Sequence, residues 1–379
     1  MHRPNPVGFK MHTRFATPAA LLACLLLLLS ACQAFRTPDA QHGPLAVPAA
    51  EFNLLFERSG DGWTGGDGTV SVLLPDGRSV WLFGDTLLGT VRADDTRPGD
   101  TPFVHNSLVV QNDRTMETRL GAHSPNNPPA AAFETPETGQ WYWPGDGTVE
   151  GDRLRIFLHR FEQTAPRLWA WRWIGADIAS LALPSLVPTG FTTAPSDNGI
   201  MYGVCLLESE HFTYIFGIDD ARHPKQAHLA RAQAGHIQGP WTYFANGRWS
   251  ETPGASRPIL AGVSTQYSVI RVAQDFYLFS MDARVPFSSE LVVYRAQSPQ
   301  GPWQGPLTVY KVPETTSEVI AYNPFVHSQF TNDGLVLVSY NLNHATDPTA
   351  LYRDASIYRP RFIRVDLSAV ARHFDAERQ

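Results

Sequence analysis

Cysteine is scarce in this chain of 379 residues, which has three: Cys24, Cys32 and Cys205. Cys24 lies in an apolar run that we interpret below as a cleaved segment, and Cys32 directly follows that run. Cys205 is then alone in the body of the chain, so no intramolecular disulfide is available to it. Stability must therefore come from a packed hydrophobic core.

Positive charge is also in short supply. Lys and Arg number 30 against 36 Asp and Glu, which gives a net charge of −6. Residues 1–31 hold Arg3, Lys10 and Arg14 and no acid, so their removal leaves 27 basic against 36 acidic residues, a net charge of −9. A mildly acidic chain without basic clusters is poorly suited to a phosphate backbone, and this excludes nucleic acid as a partner.

Long hydrophobic runs are absent apart from Ala19–Leu29. This run follows basic residues and is too short for a spanning helix, which is typical of a secretory signal. Its end, Leu29-Ser30-Ala31-Cys32, resembles a bacterial lipobox, in which the cysteine is acylated. We predict a lipoprotein signal peptide over 1–31, lipidation of Cys32, and a flexible tether over 32–50 that anchors the chain to the bacterial cell envelope. An ordinary signal peptide followed by a chance cysteine is the alternative.

Several catalytic motifs are missing as well. No Gly-Lys-Ser/Thr phosphate loop and no Gly-x-Ser-x-Gly elbow occurs, so nucleotide hydrolysis and serine esterase chemistry have no support. No spacing typical of transition-metal ligands occurs either. We therefore predict a chain that works without a cofactor or a catalytic metal.

Glycine, proline and aromatic residues are plentiful: 29 Gly, 30 Pro, and 43 aromatic residues made up of 10 Trp, 12 Tyr and 21 Phe. Spread along the chain, they favour many short strands joined by tight turns. Five strand-like segments close on a polar residue, and each begins 59 to 74 residues after the one before it in a common register. They are WLFGD (81–85), RIFLH (155–159), YIFGID (214–219), YLFSMD (277–282) and VLVSYN (336–341).

The repeat extends beyond these segments, since 231–241 and 295–303 both contain Arg-Ala and end in Gly-Pro-Trp. Four antiparallel strands in each of five units predict an all-β fold, a single five-bladed β-propeller over residues 51–370 with a C-terminal tail over 371–379. We expect EFNLLF (51–56) to close the ring by pairing with 361–367, and we expect a monomer. A pair of β-sandwiches is the alternative, but it leaves the period unexplained.

Polar residues recur at two positions of every unit. In an up-and-down blade, the start of the first strand and the end of the second lie on the same face, at the mouth of the channel. These positions hold Asp67 with Asp85, Asp146 with His159, Asp197 with Asp219, Gln266 with Asp282, and Asn323 with Asn341. Taken singly, each is also explained as a turn residue, and both interpretations stay open.

The first two units resemble each other closely, as WTGGDGTV (63–70) and WPGDGTV (143–149). Glycine permits close approach of a ligand, and tryptophan offers a flat face to a sugar ring. We expect Trp63, Trp141 and Trp143 to lie at the channel mouth. The alternative is that these side chains wedge between blades.

The stretch GGDGTVSVLLPDGRSVWLFGDTLLG, followed by PFVHNSLVV, resembles the first blade of bacterial five-bladed propellers of domain of unknown function 4185. The matching phrases contain Asp67, Asp85 with Thr86, and His105 with Asn106 and Ser107. Some relatives are similar to endo-D-arabinanases of glycoside hydrolase family 183, and the Gly-Pro-Trp phrases resemble glycoside hydrolase family 43. The resemblance implies a glycoside hydrolase acting on an arabinan-type polysaccharide. No general-acid glutamate of the family 43 pattern can be matched; Glu208 and Glu318 are nominal candidates.

Glycoside hydrolysis usually needs one protonated and one ionised carboxyl group. We predict Asp67 and Asp85 as this pair, without assigning the two roles, and Asp146 as a third catalytic carboxylate that tunes them. Crowded carboxylates raise one another's pKa, which provides an acid near neutral pH. The predicted substrate-binding side chains are Trp63, His105, Asn106, Trp143, Asn198, Asp219, Gln266, Asp282, Asn323 and His327.

His327 and His159 each have two interpretations, as a ligand of a channel ion or as a hydrogen-bonded channel histidine, and the second is the more frequent case. Two other functions stay open. One is a lipid-anchored propeller that binds glycans without cleaving them, since a fold does not dictate its function. The other is a subunit of an envelope complex, with an apolar outer patch.

Overall fold

The first described residues pair with the last strand of the chain. The computed structural model describes residues 43–60, 62–121 and 128–377. Strand β1 (Ala46–Pro48) runs antiparallel to Arg361–Asp366, and helix α1 (Ala50–Leu55) follows it. The expected strand at 51–56 is therefore wrong, as is the C-terminal end of the expected tether. The helix forms because Phe52 and Phe56, spaced four residues apart, both pack on Phe362.

The next seven strands form two antiparallel sheets. Sheet 1 has the order β3-β4-β7-β8 and the small sheet has the order β2-β5-β6. Their strands are β2 (Trp63–Gly66), β3 (Val70–Leu73), β4 (Ser79–Phe83), β5 (Thr86–Leu88), β6 (Phe103–Val104), β7 (Ser107–Asn112) and β8 (Thr115–Arg119). The turn at Pro75–Gly77 joins β3 to β4, as its Pro-Asp-Gly sequence predicts, with Gly77 at a φ of 87°.

Sheets 2 and 3 follow in the same antiparallel manner. Sheet 2 consists of β9 (Gln140–Glu150), β10 (Arg153–Gln163), β11 (Trp171–Ala182) and β12 (Val187–Thr193). Sheet 3 consists of β13 (Met201–Glu208), β14 (Phe212–Asp219), β15 (Gln226–Gln233), β16 (Trp241–Ala245), β17 (Arg248–Ser250) and β18 (Leu260–Ala261). A 3₁₀ turn, Pro253–Ala255, separates the last two strands.

Sheets 4 and 5 complete the series. Sheet 4 consists of β19 (Ser268–Val272), β20 (Asp275–Met281), β21 (Glu290–Ala296) and β22 (Gln304–Lys311). Sheet 5 consists of β23 (Val319–Asn332), β24 (Leu335–His344) and β25 (Arg361–Asp366), with β1 at its edge. Helix α2 (Ala350–Arg353) and the 3₁₀ turn Ala355–Tyr358 lie between β24 and β25.

The C-terminus is helical and packed, which corrects the expected tail over 371–379. Helix α3 (Leu367–Ala376) is capped by Asp366, whose carboxylate accepts the backbone N–H of Ala369 at 2.9 Å. Val370 and Phe374 are buried against sheets 4 and 5. Their i, i+4 spacing gives the helix an apolar face, so it joins the core.

The core lies between neighbouring sheets. Each first strand packs on the first strand of the next sheet, in the order β3, β9, β13, β19, β23 and back to β3. Buried hydrophobic clusters join sheet 1 to 2, 2 to 3, 3 to 4, 4 to 5 and 5 to 1. The predicted all-β fold is confirmed, and sheets 1, 2, 4 and 5 have the expected four antiparallel strands, while sheet 3 has six. Residues 44–379 form one compact unit, and no helix in the described ranges has the length and apolarity to cross a bilayer.

Candidate active site

Asp67 and Asp85, which we call the acid pair, lie where sheet 1 meets the small sheet. Asp67 stands between β2 and β3, and Asp85 stands between β4 and β5. The backbone joins them directly, because Gly84 N–H donates to Asp67 O at 2.8 Å and Asp67 N–H donates to Asp85 O at 3.4 Å. The pairing of β3 with β4 on one side and of β2 with β5 on the other fixes the two residues next to each other. The hairpin pattern predicted this.

The Asp67 side chain is half-buried. Burial, followed by the charge of Asp85, raises the pKa of Asp67 to about 7, while hydrogen bonds from Tyr322 and Tyr358 oppose the rise. The Tyr322 hydroxyl donates to Asp67 Oδ2 at 2.8 Å. Asp67 can therefore carry a proton near neutral pH, which is the property required of a general acid.

The Asp85 carboxylate receives two donors on one oxygen. Trp143 Nε1–H donates to Oδ1 at 2.8 Å, and His105 Nδ1 lies 2.9 Å from the same atom. These two contacts hold the position of Oδ1. Among the described residues, none forms a hydrogen bond with Oδ2, so this oxygen can interact with a substrate or a water molecule.

An aromatic wall from sheet 2 flanks the pair. The ring of Trp141 stacks on His105 with centroids 4.9 Å apart and an interplanar angle of 17°. The half-buried Trp143 packs against Phe161 at 4.4 Å and against Trp171 at 5.0 Å. Trp143 contacts Asp85, whereas Trp141 is buried in an apolar cluster with residues of sheets 3 and 4. Their expected place at the channel mouth stays a prediction, and the wall orients both donors of Asp85.

Gly84 leaves the space that the site needs. A Cβ atom at this position would lie 2.8 Å from Asp67 Oδ1 and 3.3 Å from Trp143 Cδ1. We therefore expect Gly84→Ala to displace these side chains and, in the glycoside hydrolysis that the sequence predicts, to lower kcat/KM by about 10²-fold, the cost of a small misplacement of reacting groups. Gly254→Ala, where a Cβ meets nothing within 4 Å, is the control. Equal activity of the two variants would contradict this account of the site.

Asp146 lies apart from the acid pair. Its Oδ1 accepts Gly147 N–H and its Oδ2 accepts Leu206 N–H, both at 2.7 Å, which ties sheet 2 to β13. Burial raises the pKa of Asp146 to about 7, with Glu208 as the charged neighbour that adds to the rise. The sequence predicted that Asp146 tunes Asp67 and Asp85, but neither of these hydrogen bonds involves the acid pair.

Two predicted substrate-binding residues belong to the core instead. Trp63 is fully buried and packs against Phe56 and Phe83, at 5.5 and 4.8 Å between ring centroids. Asn106 is also fully buried, and its amide bonds only to backbone atoms of Phe133 and Tyr142. Glycines after Trp63 let the chain close over it, so here the wedge interpretation was correct.

Other predicted binding residues hold their own loops or ion pairs. Asn198 bonds to Ser196, Ile200 and Pro253. Asp282 receives the Arg284 guanidinium at 2.7 and 2.9 Å, and Asp219 pairs with Arg222 at 3.4 Å. Gln266 is half-buried. The turn interpretation therefore accounts for Asn198, Asp219 and Asp282.

Asn323 shapes the site through the backbone. It adopts a φ of 50° at a bulge where the pairing of β23 with β24 shifts between Tyr322 and Phe325. The neighbouring Tyr322 contacts Asp67. Sequence reasoning chose Asn323 and missed Tyr322 and Tyr358, because a bulge decides which side chain faces the pair and no motif marks either tyrosine.

The two histidines in question are buried and neutral. Burial lowers the pKa of His327 to about 3, and its Nδ1 lies 2.6 Å from Ser71 Oγ. Burial likewise lowers the pKa of His159 to about 4, and its Nε2 lies 2.9 Å from Tyr202 O. Both are hydrogen-bonded core histidines, so the predicted contact of His327 with substrate is wrong.

The remaining candidates contribute nothing to the pair. Glu208 bonds to Thr148 near Asp146, and Glu318 is exposed and pairs with His344 at 3.5 Å. Within residues 43–60, 62–121 and 128–377, no three His, Cys, Asp or Glu side chains are grouped as metal ligands. Cys32 lies outside the described residues, and its lipidation stays a prediction.

Comparisons with known proteins agree on a family and a fold. Residues 49–368 match the model of the family described as Domain of unknown function (DUF5005), and the domain 4185 resemblance stays a prediction. A Bacteroides ovatus protein described as a "putative hydrolase" is 20% identical, with a TM-score of 0.73 over 87% of this chain and 93% of that one. This likeness shows a shared fold. No curated protein matches.

A more distant solved structure is an α-L-arabinofuranosidase from Podospora anserina in complex with cellotriose. It is 11% identical, with a TM-score of 0.48 over 85% of this chain and 94% of that one. Another is a mutant α-L-arabinanase from Cellvibrio cellulosa, 13% identical, with a TM-score of 0.42 over 79% and 91% of the two chains.

Proposed function

The chain belongs to the family described as Domain of unknown function (DUF5005), and we propose that this member is a glycoside hydrolase whose acid pair is Asp67 and Asp85. The proposal rests on one observation: a carboxyl group with its pKa raised to about 7 lies beside a carboxylate that receives two donors on one oxygen. One protonated and one ionised carboxyl group is the arrangement that glycoside hydrolysis requires.

The surroundings of the two residues favour different roles. Asp67 is the general acid that protonates the leaving oxygen, because its pKa is raised to about 7 and its Oδ2 accepts the Tyr322 hydroxyl. Asp85 is the base or nucleophile, acting through Oδ2, since His105 and Trp143 occupy Oδ1. The aromatic wall beside Asp85 offers ring faces for a sugar.

Tyr322→Phe tests this assignment. Removing the hydroxyl removes a donor that holds the pKa of Asp67 down, so this pKa rises above about 7. Activity that needs a protonated Asp67 is lost as pH rises through its pKa, so we expect the alkaline limb of the kcat/KM profile to move to higher pH. Tyr340→Phe, whose hydroxyl bonds to Glu314 at 3.0 Å, is the matched control in the same sheet. A shift confined to the acidic limb would instead make Asp67 the base.

The substrate that we propose is an arabinan-type or related polysaccharide, on the resemblance of the first sheet's sequence. The experiment is to incubate the chain from Gln33 onward with a glycan panel that includes D-arabinan and L-arabinan, and to measure new reducing ends. NMR of the first product distinguishes inversion from retention. Binding of a glycan without any new reducing ends over long incubation would favour a glycan-binding protein instead.

We infer that sheets 1 to 5 are the five blades of a propeller and that the small sheet extends the first blade. The closed order of contacts among β3, β9, β13, β19 and β23 supports this. So do the five apolar clusters, one at each junction between neighbouring sheets. Strand β1 beside β25 would close the last blade with a strand from the N-terminus.

We also propose that the protein is a monomeric lipoprotein of the bacterial cell envelope, held through Cys32. The lipobox-like sequence supports this proposal. Cys32→Ala is expected to release the protein from the membrane fraction, and labelling with a radioactive fatty acid is expected to be lost with it. Retention of the label would move the lipid to another site.

A further inference from the structure

Sheets 2 and 5, which pack on either side of sheet 1, each have a pair of strands that extends beyond the acid pair. We call these two strand pairs the walls. In sheet 2, Trp143 pairs with His159, and the hairpin continues through Gln163 and Trp171 to the loop 164–170. In sheet 5, Tyr322 pairs with Asn341. The paired strands β23 and β24 continue from there to their open end, where Val319 pairs with His344. Since Trp143 contacts Asp85 and Tyr322 contacts Asp67, both hairpins extend beyond the pair on the same side.

The tips of these two walls are joined by one side chain. Trp169, in loop 164–170, donates its Nε1–H to Ala345 O at 2.9 Å, although the residues are 176 positions apart. Ala345 directly follows β24, and its own N–H donates to Glu318 O at 2.7 Å. The indole therefore links sheet 2 to sheet 5, the two sheets that pack on either side of sheet 1.

Trp169 is an unusual residue for this position. Its φ is 61°, a left-handed conformation that a bulky side chain adopts at a cost. It is also half exposed, at 50%, so core packing does not account for the conformation. Surroundings that hold such strain at a site often do so for function.

A groove lies on the Asp85 side of the pair, next to His105 and Trp141. It has a volume of about 390 Å³ and is lined by Phe103, His105, Glu137, Gln140 and Trp141 among others. His105 and Trp141 are the residues that orient and flank Asp85. The groove therefore opens to solvent beside the two side chains on the Asp85 side of the site.

We propose that Trp169 roofs the acid pair and restricts the enzyme to glycan chain ends, which reach the pair through the groove. This inference rests on the proposed hydrolase function. Sheet 2, the Trp169–Ala345 hydrogen bond, sheet 5 and sheet 1 form a closed loop, and its sheet 1 side carries the pair. A chain can pass through a closed loop only end first, or when the hydrogen bond opens, so an internal segment of a polymer cannot descend onto the pair from above.

The test compares early products of a soluble linear glycan that the wild type cleaves. The wild type is expected to release short products while size-exclusion chromatography shows little change in the polymer. Trp169→Gly removes the indole and suits the φ of 61°, so it is expected to shorten the polymer about tenfold more for each bond cleaved. Trp169→Phe keeps a ring but loses the N–H donor. We expect it to shorten the polymer about fivefold more for each bond cleaved, because the loss of one hydrogen bond raises the population of the open loop by about this factor.

Leu168→Ala is the control, because Leu168 is exposed at 45% in the same loop and its side chain forms no hydrogen bond. It is expected to give the wild-type product pattern. Unfolding curves show whether the Trp169 variants keep the fold, and the milder Phe variant serves if the Gly variant does not. A wild-type pattern in both folded variants would overturn this inference and leave the hydrolase proposal standing. Failure of the wild type to cleave any glycan of the panel would overturn both.

Discussion

Asp67→Asn is expected to lower kcat/KM on a cleaved glycan by about 10²- to 10⁴-fold, the usual contribution of a general acid. Asparagine retains an oxygen that can accept the Tyr322 hydroxyl, so the hydrogen bond at 2.8 Å can survive while the proton is lost. The assay measures new reducing ends on the same glycan, at pH values from 5 to 9. Because asparagine preserves the shape of the side chain, a loss of kcat/KM reports the missing proton donor and not a change in position.

The same variant has a second consequence that needs no substrate. The pKa of Asp67 is raised from 3.8 to about 7 in the folded protein, so its contribution to stability is fully present below about pH 4 and is lost as pH rises through 7. Asp67→Asn removes this loss. We therefore expect its free energy of unfolding to exceed that of the wild type by an amount that grows between pH 4 and 7, then levels off.

Asp76→Asn is the control for both measurements. Asp76 lies in the exposed turn between β3 and β4, where the hydrogen bonds from Arg78 lower its pKa. Its substitution should leave activity unchanged and should not reproduce the rise in stability. Full activity of a folded Asp67→Asn protein would remove Asp67 from the chemistry, and a stability difference independent of pH would show that its carboxyl group is not perturbed.

Gly203→Ala is expected to lower the free energy of unfolding by about 2 to 6 kcal/mol, the sum of backbone strain and overpacking. Gly203 has a φ of 91°, and a Cβ atom there would overlap the ring of Phe157. Phe157 is fully buried between sheets 2 and 3, so it has no free space to move into. Denaturant unfolding monitored by fluorescence measures the change.

Gly190→Ala provides the comparison, because a Cβ there meets nothing within 4 Å and the residue lies in the exposed strand β12. It is expected to stay within about 0.5 kcal/mol of the wild type, as surface substitutions usually do. If Gly203→Ala were equally mild, the junction of sheets 2 and 3 would be looser than the packing of Phe157 indicates.

Strand pairs with short turns could be predicted well from the sequence. The Pro-Asp-Gly turn fixes the register of β3 and β4, and this register alone brings Asp67 and Asp85 to one end of a hairpin. The helix at Ala50–Leu55 was missed because a run of only six residues has no distinct period. Burial of Phe52 against sheet 5 decides the conformation instead.

The sequence by itself determined the repeat, the all-β architecture and the acid pair, because these follow from alternation and turn chemistry between neighbours in the chain. Only the tertiary structure decided which polar residues serve the site. Tyr322 and Trp143 reach the pair from two other sheets, while Asn106 and Trp63 turn inward. The physical reason is that contacts between sheets depend on bulges and on packing across junctions. Trp143 and Tyr322 are 58 and 255 positions from the acid residues that they contact, so no local pattern in the sequence marks them.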